Sequence, residues 1–150
     1  AGHPCDGYTQ IFRSGAVEAT RFRIGNADDD GGLRIGSTFV TGLLLNNIER
    51  YLEGMQSIGV QPPLLIVASL HNVAHSILLR GKEYFDEGAR MVRNKISLPH
   101  IVLDHFPEKG KTSQSIRLML DTLWQAYGFT ECGCLDANGL WNDQTKYQEF

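Results

Sequence analysis

The chain has 150 residues, enough for one hydrophobic core and too few for two comfortable ones. Apolar residues make up 42% and charged residues 21%, which excludes intrinsic disorder as a description of the whole. A net charge of -3 with mixed signs argues against a dedicated nucleic-acid module, and no apolar run approaches the roughly 20 residues that span a bilayer.

The opening Ala1-Gly2-His3-Pro4-Cys5 has neither Met nor a signal-peptide core, and reads as the edge of an excised or cleaved segment. Tyr8–Arg13 and Ala16–Ile24 are rich in aromatic and β-branched residues. With Ser14-Gly15 between them they predict a β-hairpin. Asn26 to Gly32 is a polar loop. A helix starts near Ser37 as N-cap, with Val40, Leu44, Ile48, Tyr51, Leu52 and Met55 on one face. Gly59 stops it and Pro62-Pro63 prevents continuation.

Leu64-Leu65-Ile66-Val67-Ala68 predicts a strand buried on both faces. His71-Asn72 reads as a turn, and Val73–Leu79 as a neighbouring strand. Lys82–Lys95 is mostly loop, and His100–Phe106 is a further strand. The second helix spans Thr112 or Ser113 to Tyr127, with Ile116, Leu120, Leu123, Trp124 and Tyr127 as its stripe and Gly128 as its stop. The tail then wraps the surface, pinned by Phe129 or Trp141. The expected class is α+β in the order β-β-α-β-β-β-α: two main helices against one mixed sheet of about five strands, a single domain over 1–150 with mobile ends at 1–7 and 142–150. Leu44, Ile48, Leu52, Leu65, Val67, Val102, Leu120 and Trp124 are the expected core.

Several segments, in order, resemble one family. Gln10-Ile11-Phe12-Arg13-Ser14-Gly15-Ala16-Val17-Glu18-Ala19 resembles the opening of a bacterial C-terminal region that follows a Schlafen-type, AlbA-like DNA-binding domain, in proteins often described only as ATP-binding. Arg50-Tyr51-Leu52 with Gly59-Val60-Gln61-Pro62-Pro63, the strand Ile66–Leu70, Leu98-Pro99 with Val102, Leu123-Trp124-Gln125-Ala126-Tyr127-Gly128 and Asp136-Ala137-Asn138-Gly139-Leu140-Trp141 resemble the same family, over roughly Tyr8 to Trp141. The chain departs from the family's pattern around His71 and His75 and at His100. The resemblance implies an accessory domain of a nucleic-acid-associated protein and supplies no catalytic residue.

Gly110-Lys111-Thr112 ends like a phosphate-binding loop between a strand and a helix, but His105 stands where the first glycine of that loop belongs. Its alternatives are a capped helix start, or an anion site using Lys111 and free backbone N–H groups. His71 and His75 are spaced for zinc only on a helix, and Asn72 replaces the Glu of the peptidase motif. Asn26-x-Asp28-x-Asp30-Gly31 is close to a calcium loop but has Ser37 at the bidentate position, so a solvated turn is preferred. Asp104 and His105 are adjacent and so face opposite ways on a strand. Cys5, Cys132 and Cys134 are no disulfide framework and fit a reducing, cytoplasmic setting. They are read as free thiols near a mobile end, with a zinc site involving His3 as the alternative. Arg21 and Arg23, two apart on the hairpin, form the only basic face worth testing for nucleic acid.

The reading is a non-enzymatic accessory domain for ligand sensing or protein association, with no cofactor and no membrane. Its expected partner is a neighbouring domain of the same protein or a second copy. The alternative is a nucleotide-binding module of an ATP-dependent enzyme, acting through Gly110, Lys111 and Thr112.

Overall fold

The structure, a computed structural model, describes residues 6–27, 29, 31–80 and 86–142. It is α+β, as the sequence predicts. The expected hairpin forms from β1 (Gly7–Ile11) and β2 (Val17–Arg21), paired antiparallel with Tyr8 opposite Thr20. Its loop is longer than Ser14-Gly15. The Gly15 N–H donates to Phe12 O at 2.9 Å, the Phe12 N–H donates to Ala16 O at 2.8 Å, and Gly15 takes φ +85. A turn followed by a left-handed glycine is the usual three-residue hairpin solution.

β3 (Asn26–Ala27) lies in the stretch expected to be loop. It pairs with β4 (Leu33–Gly36), which runs parallel to β7 (Ile77–Arg80), and β8 (Asp86–Glu87) closes the far edge. The helix α1 (Ser37–Ser57) follows β4 directly. Gly36 is its N-cap, so Ser37 lies inside the helix, buried, and makes no capping bond. Its C-terminus is closed as Gly59 predicts: Gly59 N–H donates to Gln56 O and Val60 N–H to Met55 O, with Gly59 at φ +84. These paired bonds satisfy two carbonyls that the helix leaves open, and only glycine takes this φ without a steric cost.

The sheet expectation needs correcting. The described strands form one four-stranded sheet and three two-stranded pairs, in place of one mixed sheet. The stretch Val73–Leu79 does not run as a strand beside Leu64–Ala68. Val73 to Ser76 turn, and only Ile77 onward is strand, beside β4. The "loop" Lys82–Lys95 contains β8 and the first residue of β9 (Lys95–Ser97).

β5 (Leu64–Ile66) pairs with β10 (Ile101–Leu103), and β6 (Ser69–His71) pairs with β9. A 3.1 Å bond from Leu98 N–H to Ala68 O joins the two pairs across the break. Together they make one bent antiparallel ribbon, 64–71 against 95–103. The predicted second helix is two: α2 (Thr112–Ser115) and α3 (Arg117–Gln125), broken at Ile116, whose φ -106 and ψ 13 leave the helical region. The C-terminal end of α3 repeats the α1 device. Gly128 N–H donates to Gln125 O and Phe129 N–H to Trp124 O, and the Phe129 ring meets Trp124 edge-on at 5.3 Å.

The core lies between α1, α3, the four-stranded sheet and the inner face of the ribbon. Ile35, Leu52, Leu64, Leu78, Leu103, Met119, Leu120, Leu123 and Trp124 are buried in it, and Leu44 packs against it half-buried. Several of its polar groups are paired. Trp124 Nε1 donates to Thr41 Oγ1 at 3.0 Å, and the Tyr127 hydroxyl lies 2.8 Å from Ser76 Oγ, which donates to Val73 O at 2.6 Å. Three expected core residues are not there: Leu65, Val67 and Val102 are 63%, 70% and 56% exposed. The apolar run around β5 covers the core with one face only, and among the described residues no second layer lies over the other. No helix among the described residues is long and apolar enough to cross a membrane.

Candidate functional site

The residues singled out from sequence do not converge. Gly110 has φ +78 in a tight turn closed by Lys111 N–H donating to Glu108 O at 2.9 Å. Lys111 Nζ is paired with Glu108 Oε2 at 2.5 Å. That ion pair, with its hydrogen bond, holds the Glu108 carboxyl below its ordinary range. Thr112 is buried and its hydroxyl donates to Glu49 Oε1 at 3.3 Å. The turn borders a cleft of about 160 Å³ lined by Glu49, Glu53, Gln56, Phe106, Glu108 and Lys109, among others. Three carboxylates against one lining lysine is the wrong sign for a polyphosphate. The Lys111 ammonium, turned to Glu108, and the Lys111 N–H, used in the turn, both point away from the role a phosphate-binding loop gives them.

Arg21 ends β2 and is exposed, but Arg23 lies past the strand at φ +58, so the alternation that put both on one face does not reach it. Asp28 and Asp30, and likewise His3 and Cys5, lie outside the described residues, as do the ends 1–5 and 143–150. Among the described residues no three His, Cys, Asp or Glu side chains are placed to hold a metal ion. Asp104 and His105 are exposed just past β10. His71 closes β6, exposed, with its Nε2 2.9 Å from Ser69 Oγ. His75, also exposed, sits in a turn at φ +64, three residues after Asn72 at φ +57. Its carbonyl accepts from Arg90 Nη1 at 2.9 Å, and its N–H donates to Met91 O at 2.8 Å. Those bonds hold a left-handed conformation that costs a non-glycine residue about 1–2 kcal/mol.

The feature that sequence reasoning missed is the outer face of the ribbon. Leu65 and Val102 are directly opposite each other across β5 and β10. Val67, just past the end of β5, extends the row. Cross-strand partners on one face stand about 4.5–5.5 Å apart, so Leu65 and Val102 are in reach of each other, and Val67 follows two residues along the chain from Leu65. Further along the same face the strip turns polar: Ser69 is opposite Ser97 and His71 is opposite Lys95, all exposed. Beyond their mutual pairing, neither ribbon strand has a strand neighbour among the described residues. The inner face is closed by Leu64, Ile96, Leu98 and Leu103. The only sequence signal was the unbroken run Leu64–Ala68, which does not separate a strand covered on two faces from one waiting for a cover. No family model, curated protein or solved structure matches this chain.

Proposed function

We propose that this chain is a non-enzymatic accessory domain for protein association, and that it docks through the outer face of the 64–71/95–103 ribbon. One observation carries the reading: Leu65, Val67 and Val102 are exposed together on a two-stranded ribbon that no further strand joins among the described residues. Such an edge and face are a template for another chain unless something covers them. The polar half of the strip, with Ser69, His71, Lys95 and Ser97, supplies a rim of hydrogen-bonding groups beside the apolar centre, the usual anatomy of an interface. The resemblance of the Gln10–Ala19, Gly59–Pro63 and Leu123–Gly128 segments to the C-terminal region of AlbA-like proteins supports the partner: a neighbouring domain of the same bacterial, nucleic-acid-associated polypeptide.

The test is calorimetric binding between this chain and a separately produced AlbA-like domain of the same polypeptide, with light scattering on the chain alone as control. Leu65→Lys with Val102→Lys places two charges in the strip and should abolish association while leaving the far-ultraviolet circular dichroism unchanged. Association that survives both substitutions at full strength removes the ribbon from the interface. Absence of association with either the AlbA-like domain or a second copy removes the function.

A further inference from the structure

Among the described residues Cys132 and Cys134 are the two thiols, and this reading leaves both unused. A Cys-x-Cys in extended chain sends its thiols along the strand too far apart to join easily. Here the segment is a turn. Leu135 N–H donates to Cys132 O at 3.4 Å, and Gly133 and Cys134 are the two turn residues. A turn of this kind brings the α-carbons of residues two apart to roughly 5.5–6 Å, the separation most common in disulfides. Both thiols are reduced, and both are buried in the core at 3% and 1% exposure. The residue between them packs closely, since a Cβ at Gly133 would lie 3.0 Å from the Trp124 ring.

Their surroundings make the pair unequal. Cys134 Sγ lies 3.9 Å from Thr38 Oγ1, near the start of α1, where backbone N–H groups and the helix dipole favour a thiolate. Thr41 Oγ1 already accepts from Trp124 Nε1, a group that can only donate. The Thr41 proton is thus available for the Cys134 sulfur. A hydrogen bond from Cys132 and the Thr38 and Thr41 hydroxyls hold the Cys134 thiol below its ordinary pKa, against the effect of burial. Cys132 is pushed up, first by its bond to Cys134, then by burial and by the Asp121 carboxylate, whose Oδ1 accepts the Cys132 N–H at 2.8 Å. A low-pKa attacking thiol beside a protonated resolving thiol is the division of labour that dithiol exchange uses.

We propose that Cys132 and Cys134 form a redox-active dithiol that closes to an intraloop disulfide by exchange with a small disulfide of the glutathione class. Cys134, as thiolate, attacks one sulfur of the small disulfide. That S–S bond breaks, a mixed disulfide forms at Cys134 and one thiolate leaves. Cys132 then gives up its proton to solvent and attacks the Cys134 sulfur, and the second small thiol leaves. Two protein thiols are oxidised and one disulfide is reduced to two thiols, so no other oxidant is needed. Burial sets the rate, since the tail must lift before the sulfurs are reached. Among the described residues Cys132 N–H to Asp121 Oδ1 at 2.8 Å, Ser113 Oγ to Gly139 O at 2.8 Å and Gln114 Nε2 to Asn138 O at 2.8 Å tie it to α2 and α3, while the Leu135–Trp141 bridge and Asn142 N–H to Cys134 O at 2.9 Å close it on itself.

The experiment uses the full chain with Cys5→Ser, so that only the pair can react. Native protein is incubated with glutathione disulfide, quenched with acid and weighed intact by mass spectrometry. The expected product has lost two hydrogens and retains no glutathione. Adding Cys132→Ser should trap one glutathione on Cys134, whereas adding Cys134→Ser should slow adduct formation several-fold, since burial and the Asp121 carboxylate still disfavour the Cys132 thiolate once its bond to Cys134 is gone. Circular dichroism checks that each variant is folded. The unsubstituted pair, run with and without urea, provides the test should a serine variant unfold. A pair that remains reduced in native protein and oxidises only in urea overturns the proposal. So does a glutathione adduct that persists on the intact pair, or equal rates for the two single-cysteine proteins.

Discussion

Leu64 and Leu65 are neighbours on β5 with the same side chain, and the fold predicts opposite consequences for truncating them. Leu64 is 6% exposed and points into the core, so Leu64→Ala should cost about 2–5 kcal/mol, the range for a leucine deletion that leaves a cavity. Leu65 is 63% exposed, and the buried remainder, 100 − 63 = 37%, sets its limit. Full burial of a leucine is worth about 1.5–3 kcal/mol, so that fraction contributes roughly 0.6–1.1 kcal/mol, of which the alanine methyl keeps part. Leu65→Ala should therefore cost below about 1 kcal/mol. Urea unfolding followed by tryptophan fluorescence at low protein concentration measures both, and an unchanged m-value shows that the comparison concerns stability alone. Because a strand displaced by one residue exchanges its faces, the pair also reads register. A larger loss at Leu65 than at Leu64 in the monomer would refute the ribbon's orientation and, with it, the docking surface.

The helix stops give a second check: Gly59→Ala and Gly128→Ala, at φ +84 and +87, should each lower stability by about 1–2 kcal/mol in the same unfolding assay. The opposite change applies at His75, where φ is +64. His75→Gly should stabilise by about 0.5–1 kcal/mol, the relief of the left-handed penalty less the entropy that glycine adds to the unfolded chain. Burial raises the Tyr127 pKa against the opposing bond to Ser76. A pKa that is higher folded than unfolded gives stability that is intact below the unfolded value near 10 and lost as pH rises through the folded one. Stability should therefore fall on the alkaline side of pH ~10, and Tyr127→Phe should flatten that fall in a pH series of urea midpoints. At the acid end, Lys111→Ala should return the Glu108 carboxyl toward its ordinary pKa, seen as an upward shift of its side-chain carbon titration by NMR.

Helix existence and helix ends were legible because they rest on local chemistry. Gly59 and Gly128 each supply a left-handed residue after an apolar stripe, and each closes a helix with the same two bonds. The break at Ile116 was not legible, since Ile116 is itself fully buried and fits the stripe on either side. Sheet layout was the least legible part. Leu64–Ala68 and Val73–Leu79 both read as strands in sequence and as neighbours, yet the first lies in a ribbon and the second begins only at Ile77, beside β4. Pairing partners 43 residues apart, such as Arg34 and Ile77, leave no local signal. The thiols were misplaced for a related reason. Cys132 and Cys134 follow the last helix in a glycine-bearing tail, and only the tertiary contacts of that tail with α1 and Trp124 bring them into the core.

Gly110-Lys111-Thr112 shows how a correct local context still falls short of a site. The motif does follow a strand and precede a helix, and its glycine does take a positive φ. A phosphate site needs two further things that sequence spacing does not carry: backbone N–H groups left open toward one point, and a positive local field. Here the Lys111 N–H is used within the turn and the Lys111 ammonium is taken by Glu108. The helix that follows is only four residues long and presents little dipole. The carboxylates of Glu49 and Glu53 come from α1, more than fifty residues upstream, and line the cleft beside the motif. An apolar strip needs no such convergence. Its chemistry is complete once Leu65, Val67 and Val102 share an exposed face, which is why the association reading rests on three exposed side chains and not on the motif.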